Sequence, residues 1–223
     1  MMKGIGFEPF DSDLCLFINK EKGVLLILYV DDMLISAYTK EDIFSTAKQI
    51  EKKFKIKPLG EVQRFLGYKV TRDRENRTIG LSQEEYARKI VNKYGYNNLN
   101  LVQTPWPSGL QLPTEWEVLE DKTKWYIKRT GSLNYLSVGS RPDITYTVNK
   151  LCEANSGPSE KHIQLMQHIF RYIIGTFKFR LQYRGKTLRK TLYCYADAAY
   201  ADNLLSRRST AGYIVFLGGG LVL

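Results

Sequence analysis

Two adjacent carboxylates, Asp31 and Asp32, stand between two apolar runs, residues 24–30 and 33–37. The first run is continuously apolar, which suits a strand covered on both faces. The second can return beside it as a hairpin partner. Two acids at the tip of a buried hairpin can hold a divalent ion rigidly against a phosphate. Asp is also a good turn residue, so the same pair fits a solvated hairpin tip.

The other metal-ligating residue types form no such constellation. Cys15, Cys152 and Cys194 are far apart, odd in number and without a CxxC pair, which indicates neither a zinc site nor a disulfide framework. A reducing intracellular compartment, cytoplasm or nucleus, suits them. His162 and His168 lie six apart in an expected helix, the wrong spacing for a shared metal face. They read as packed or solvated.

The elements that must position the acids follow from periodicity and punctuation. A short strand over 14–18 and a polar turn over 19–23 lead into the apolar strand 24–30. Thr39 precedes a helix with apolar residues at Ile43, Ala47, Ile50 and Phe54, broken at Pro58-Leu59-Gly60. Residues 64–71 and 78–81 read as a second hairpin across the polar turn 72–77. Ser82 and Glu85 read as a capping box. The helix they open carries Tyr86, Ile90 and Tyr94 inward and stops at Gly95. Residues 97–123 hold Pro105, Pro107 and Pro113 with little periodicity and read as a linker. Three helices follow, the first over about 124–138. Pro142 opens the second, with Ile144, Val148 and Leu151 on one face. The third starts at Ser159 and carries Ile163, Met166, Phe170 and Ile173. Strand patterns return over 179–184, 191–196 and 212–217.

With 223 residues, 43% of them hydrophobic, the chain can bury one large core or two small ones. Its formal charge of +10, from 33 Lys and Arg against 23 Asp and Glu, favours a polyanionic partner, most commonly nucleic acid. No apolar run reaches transmembrane length and no signal-peptide pattern opens the chain, so no membrane partner is expected.

Tyr29-Val30-Asp31-Asp32 resembles the Tyr-x-Asp-Asp signature of reverse transcriptases. Around it the chain is similar to the polymerase segment of copia-type LTR retrotransposon polyproteins. Gly6-Phe7, then Asp13-Leu14-Cys15-Leu16-Phe17, resemble the strand before the family's catalytic hairpin. Leu59-Gly60-Glu61-Val62 and Phe65-Leu66-Gly67-Tyr68 match the segment after it. Arg141-Pro142-Asp143-Ile144 and Arg171-Tyr172-Ile173-Ile174-Gly175-Thr176 match its connection region. Several motifs in the right order are more specific than any one of them. Near the end, Tyr195-Ala196-Asp197-Ala198-Ala199-Tyr200-Ala201-Asp202 resembles the opening of the family's ribonuclease H domain. It departs at Ala199, where an acid is usual, and at Tyr200, where Trp is usual.

The resemblance implies roles for particular residues. Asp31 and Asp32 would be catalytic and bind Mg²⁺. Asp197 would be the first metal-binding acid of ribonuclease H. Phe65, Leu66, Gly67 and Tyr68 would form the primer grip. That role needs a stiff hairpin with a small residue near the primer phosphate, which Gly67 supplies; the other three equally suit ordinary hairpin core. The helix after Ser82 resembles the start of the thumb, where Arg88, Lys89 and Lys93 would face phosphates unless they are simply a solvated face.

The expected fold is α+β: a partial reverse-transcriptase palm with the YxDD hairpin, thumb-like and connection helices, and a truncated ribonuclease H-like sheet. The expected parts are palm and thumb start over 1–96, linker over 97–123, helical connection over 124–178 and ribonuclease H-like domain over 179–223. The family takes a third acid from a strand upstream of the hairpin, and Glu8, Asp11 and Asp13 sit in no matching motif. The chain therefore reads as truncated at both ends. It is expected to be a remnant of a retrotransposon RNA-directed DNA polymerase, inactive alone, whose partner is an RNA–DNA or DNA duplex primer–template. A non-catalytic basic nucleic-acid-binding protein and a decayed gene product without function are the alternatives.

Overall fold

The computed structural model describes residues 2–113, 115–185, 192–201 and 207–222. The chain divides into two compact units, Met1–Phe65 and Leu66–Leu223.

In the first unit an antiparallel sheet runs in the order β1 (Glu8–Pro9), β2 (Leu16–Asn19), β3 (Val24–Tyr29), β4 (Asp32–Ser36). Leu26 stands opposite both Phe17 and Ile35. This face packs with Phe7 and with Ile50 of helix α1 (Lys40–Glu51). Thr39 caps α1, its hydroxyl accepting from the Asp42 N–H at 3.1 Å. Such a cap contributes about 1 kcal/mol. The helix stops three residues short of Phe54, which is left exposed.

The expectation that residues 24–30 form a strand covered on both faces is corrected here. Burial alternates along β3: Val24 and Leu26 are fully buried, whereas Leu25 is 40% and Tyr29 53% exposed. Side chains of a strand alternate between faces whatever their polarity. Among the described residues of this unit α1 is the one α-helix, and its Ile50 is buried with one face of the sheet. Strand β5 (Arg64–Phe65) ends the unit.

In the second unit β6 (Tyr68–Asp73), β7 (Thr78–Ser82) and β8 (Leu181–Arg184) pair antiparallel in that order. The single strand expected over 64–71 is interrupted, because Leu66 and Gly67 both take left-handed conformations, φ +50° and +80°. Ser82 still ends β7, so the cap falls one residue later than expected and makes no side-chain capping hydrogen bond. Gln83 is the cap of α2 (Glu84–Tyr94), while the Ser82 hydroxyl accepts from the Glu84 N–H at 3.1 Å. Gly95, at φ +77°, closes that helix in the left-handed conformation glycine favours.

The main core is helical. Helix α3 (Thr123–Gly139), a 3₁₀ turn Pro142–Ile144, α4 (Thr145–Glu153) and α5 (Glu160–Gly175) bury Leu133, Leu136, Ile144, Val148, Leu151, Met166, Phe170 and Ile173 together with Ile90 of α2. Residues 97–113 run along this core rather than standing off it, with Leu99, Val102, Trp106, Leu110 and Leu112 packed against it. The Thr147 hydroxyl donates to the Pro105 carbonyl. The two motifs centred on Arg141 and Arg171 meet in one network. Arg141, 2% exposed, holds Asp143 through two nitrogens at 2.8 Å and reaches the carbonyl and hydroxyl of Thr176. The Tyr172 hydroxyl donates to the same carboxylate at 3.0 Å.

A second sheet of this unit runs β11 (Gly220–Leu221), β10 (Thr210–Leu217), β9 (Leu192–Ala199), all antiparallel. Thr191, the expected start of β9, lies outside the described residues. Strand β8 pairs with β7 in the other sheet.

Candidate functional site

Tyr29 pairs directly with Asp32, leaving Val30 and Asp31 as a two-residue hairpin turn. Val30 has φ +52° while Asp31 does not share the positive φ, the pattern of a type II′ turn, whose first position favours glycine. A β-branched residue there costs about 1–3 kcal/mol. The turn therefore keeps a strained backbone and displays Val30 to solvent, 81% exposed. Asp32, opposite Tyr29, belongs to the sheet face that also carries Leu25 and Ile27, the face left open. Asp31 sits at the tip, and both acids are exposed. The two acids are thus placed differently, Asp31 in the turn and Asp32 at the first position of β4.

Two of the nearby acids have local partners. Glu8 forms an ion pair with Lys20 at 2.9 Å. Asp13 accepts from the Cys15 N–H at 2.8 Å.

In the second unit, Leu66, Gly67 and Tyr68 follow Phe65 through a turn with two successive left-handed residues, the type I′ pattern. A Cβ on Gly67 would stand 3.3 Å from the Tyr135 hydroxyl, so a tyrosine of α3 occupies part of the space beside that glycine. Phe65, Leu66 and Tyr68 are half-buried, and burial pushes the Tyr68 hydroxyl up. On α2, the three expected phosphate contacts divide. Arg88 pairs with Glu84 at 2.8 Å and lies over the Phe177 ring at 4.4 Å. Lys89 and Lys93 are exposed one helical turn apart, on one face.

Asp197 stands exposed in β9 opposite Gly212, and its carboxylate accepts from the Ala198 N–H at 3.0 Å. Asp202 lies outside the described residues. His162 and His168 are packed rather than clustered. His162 is buried, with Nδ1 2.7 Å from the Ser159 hydroxyl at the α5 cap, and burial holds its imidazole below the ordinary 6.5. His168 reaches the Thr104 carbonyl. One constellation escaped the sequence reading: Arg72, Arg74 and Arg77, read as part of a polar turn, share a groove with Arg184. The run Arg-Asp-Arg-Glu-Asn-Arg was its available signal; Arg184 joins only through strand pairing.

The profile of the family described as "Reverse transcriptase (RNA-dependent DNA polymerase)" matches residues 1–108. The putative transposon Ty5-1 protein of Saccharomyces cerevisiae is 30% identical over 225 residues, covering 99% of this chain and 72% of that protein. The chain belongs to the reverse transcriptase family of transposon Pol polyproteins. The retrovirus-related Pol polyproteins from transposon TNT 1-94 of Nicotiana tabacum and from transposon RE1 of Arabidopsis thaliana are each 33% identical, over 99% and 96% of the chain. The chain spans only 17% and 14% of their lengths. No solved structure matches it significantly.

Reverse transcriptases work with divalent metal. Among the described residues of this family member, no group of three or more His, Cys, Asp or Glu side chains is placed to hold a metal ion. Asp31 and Asp32 offer two carboxylates from a single turn. Two-ion phosphoryl transfer needs each ion bridged and oriented by several ligands. The residues present do not make up that set.

Proposed function

We propose that this chain carries part of a copia-type RNA-directed DNA polymerase and is catalytically inactive alone. The observation that supports this most is the β3–β4 turn, where a strained Val30 sets Asp31 at the tip and Asp32 on the open sheet face. In this reading the first unit is a partial palm, α2 is the beginning of a thumb, and α3 to α5 are the connection. The β9–β10–β11 meander is the opening of a ribonuclease H-like sheet with Asp197 on its first strand. The bound partner is an RNA–DNA or DNA duplex primer–template, and Mg²⁺ is the ion Asp31 and Asp32 would share with ligands not assembled here. The exposed thiols Cys15 and Cys194 suit a reducing intracellular compartment.

Primer extension tests it. Purified chain with an RNA template, primer and Mg²⁺ or Mn²⁺ is expected to give no product. Extension that disappears in Asp31→Asn would overturn the inactivity and reveal a substitute ligand. The net charge of +10 favours a second reading, a non-catalytic nucleic-acid-binding protein. It predicts salt-dependent binding without synthesis.

A further inference from the structure

One end of the β6–β7–β8 sheet and the turn between β10 and β11 enclose a groove of about 430 Å³. Four guanidinium groups line it: Arg72 at the end of β6, Arg74 and Arg77 from the turn that follows, and Arg184 at the end of β8. Among the described residues of the lining, Asp73 is the one carboxylate. It accepts from Asn76 twice, from the backbone N–H at 2.9 Å and from Nδ2 at 2.7 Å. The lining therefore carries four positive charges against one negative.

The arginines come from distant parts of the chain and are held by backbone. Arg184 stands opposite Thr78 in the sheet, and the Gly185 N–H donates to the Arg77 carbonyl at 2.7 Å. Across the groove, Leu217 pairs with Gly220, which leaves Gly218 and Gly219 as a two-residue turn at φ +60° and +80°. That wall has no side chains at its tip, so another backbone can approach it closely.

Small-molecule sites of such volume are mostly apolar with a few polar groups. This groove has an apolar part too, from Ile79, Tyr183 and Leu217, but its polar groups are four guanidiniums. Guanidinium forks match phosphate oxygens in paired hydrogen bonds, and several in one groove suit several phosphates in series. We propose that this groove binds the phosphodiester backbone of nucleic acid. The proposal rests on the nucleic-acid reading above for its ligand, but on residues that reading does not use.

The test is a salt titration of fluorescence anisotropy with the full chain and a labelled RNA–DNA hybrid. It compares wild type, an Arg74→Gln/Arg77→Gln/Arg184→Gln variant and the corresponding triple Arg→Lys variant, each checked for folding by circular dichroism. Each phosphate contact contributes about 0.7–0.9 to the slope of log affinity against log salt. The Gln variant is expected to lose about 2–3 from that slope and roughly tenfold in affinity at low salt, while the Lys variant keeps the slope and loses only the part of the affinity that the paired forks supply. Equal loss of slope in both variants, or an unchanged slope in a folded Gln variant beside a binding wild type, would overturn the groove alone. Failure of the wild type to bind the hybrid would overturn the nucleic-acid reading together with it. Inorganic phosphate is the competing source of the same oxyanions. Displacement of the hybrid by inorganic phosphate at matched phosphate concentration would reassign the groove to free phosphate.

Discussion

At Val30 the hairpin's backbone works against its own side chain. A φ of +52° is comfortable for glycine and strained for a β-branched residue. Val30→Gly is therefore expected to stabilise the protein by about 1 kcal/mol, strain relief of about 1–3 outweighing about 0.4–1 of added unfolded-chain entropy. Urea denaturation reads this directly; a variant no more stable than wild type would show the turn to be unstrained. His162 gives a second expectation at this scale. Burial lowers its folded pKa below the unfolded 6.5, so the unfolded chain takes up the proton first as pH falls. Its contribution is complete above about 6.5 and is lost as pH drops through the window down to the lowered folded value. His162→Asn should remove that component. Thermal unfolding of both proteins at pH 7.5 and below 6 measures it, and identical pH dependence would rule it out.

Among the elements, α2 separates an arginine tied to a carboxylate from two exposed lysines, of which Lys93 also lies 5.2 Å from the Tyr94 ring. Arg88 is tied to Glu84 and laid over Phe177, so Arg88→Ala should act chiefly on stability, by up to about 1 kcal/mol. Lys89 and Lys93 face outward together. If α2 contacts duplex as a thumb helix, neutralising both should lower the salt slope of binding by about 1.8. Anisotropy titrations of the two variants distinguish the roles. A flattened slope in the Arg88 variant with no change in the Lys89/Lys93 double variant would reverse the assignment. The β3 strand shows the complementary point: an unbroken apolar run still has two faces, and one helix in its unit buries its side chains against one of them.

For the molecule as a whole, acid count governs the expected chemistry. Asp197 is a lone exposed carboxylate on β9, hydrogen-bonded to its neighbour's N–H. Cleavage of the RNA strand of an RNA–DNA hybrid is expected to be undetectable with Mg²⁺. Cleavage abolished by Asp197→Asn would show that further ligands join it. Binding and catalysis respond differently to the loss of a side chain. Phosphate contacts spread over a surface fail one at a time, whereas a metal site fails with one ligand. A chain of charge +10 with two compact units can keep the first property without the second.

The order of elements was legible in the sequence because it is written locally. Thr39 precedes α1 and Ser159 stands at the start of α5, as expected, each as the helix cap, and Gly95 closes α2. The spacing of Ile144, Val148 and Leu151 marks the face that is buried. The motif order carried the family. The left-handed turn at Leu66 and Gly67 inside an apparent strand was decided by the folded chain, since strand propensity at one residue is weak beside hairpin geometry. So was the covering of only one face of β3, because apolar composition does not say how many layers exist to cover it. The pairing of β8 with β7, and with it the meeting of Arg184 with Arg72, Arg74 and Arg77, joins residues a hundred positions apart. Neither periodicity nor spacing encodes such a contact; only the tertiary structure makes them neighbours.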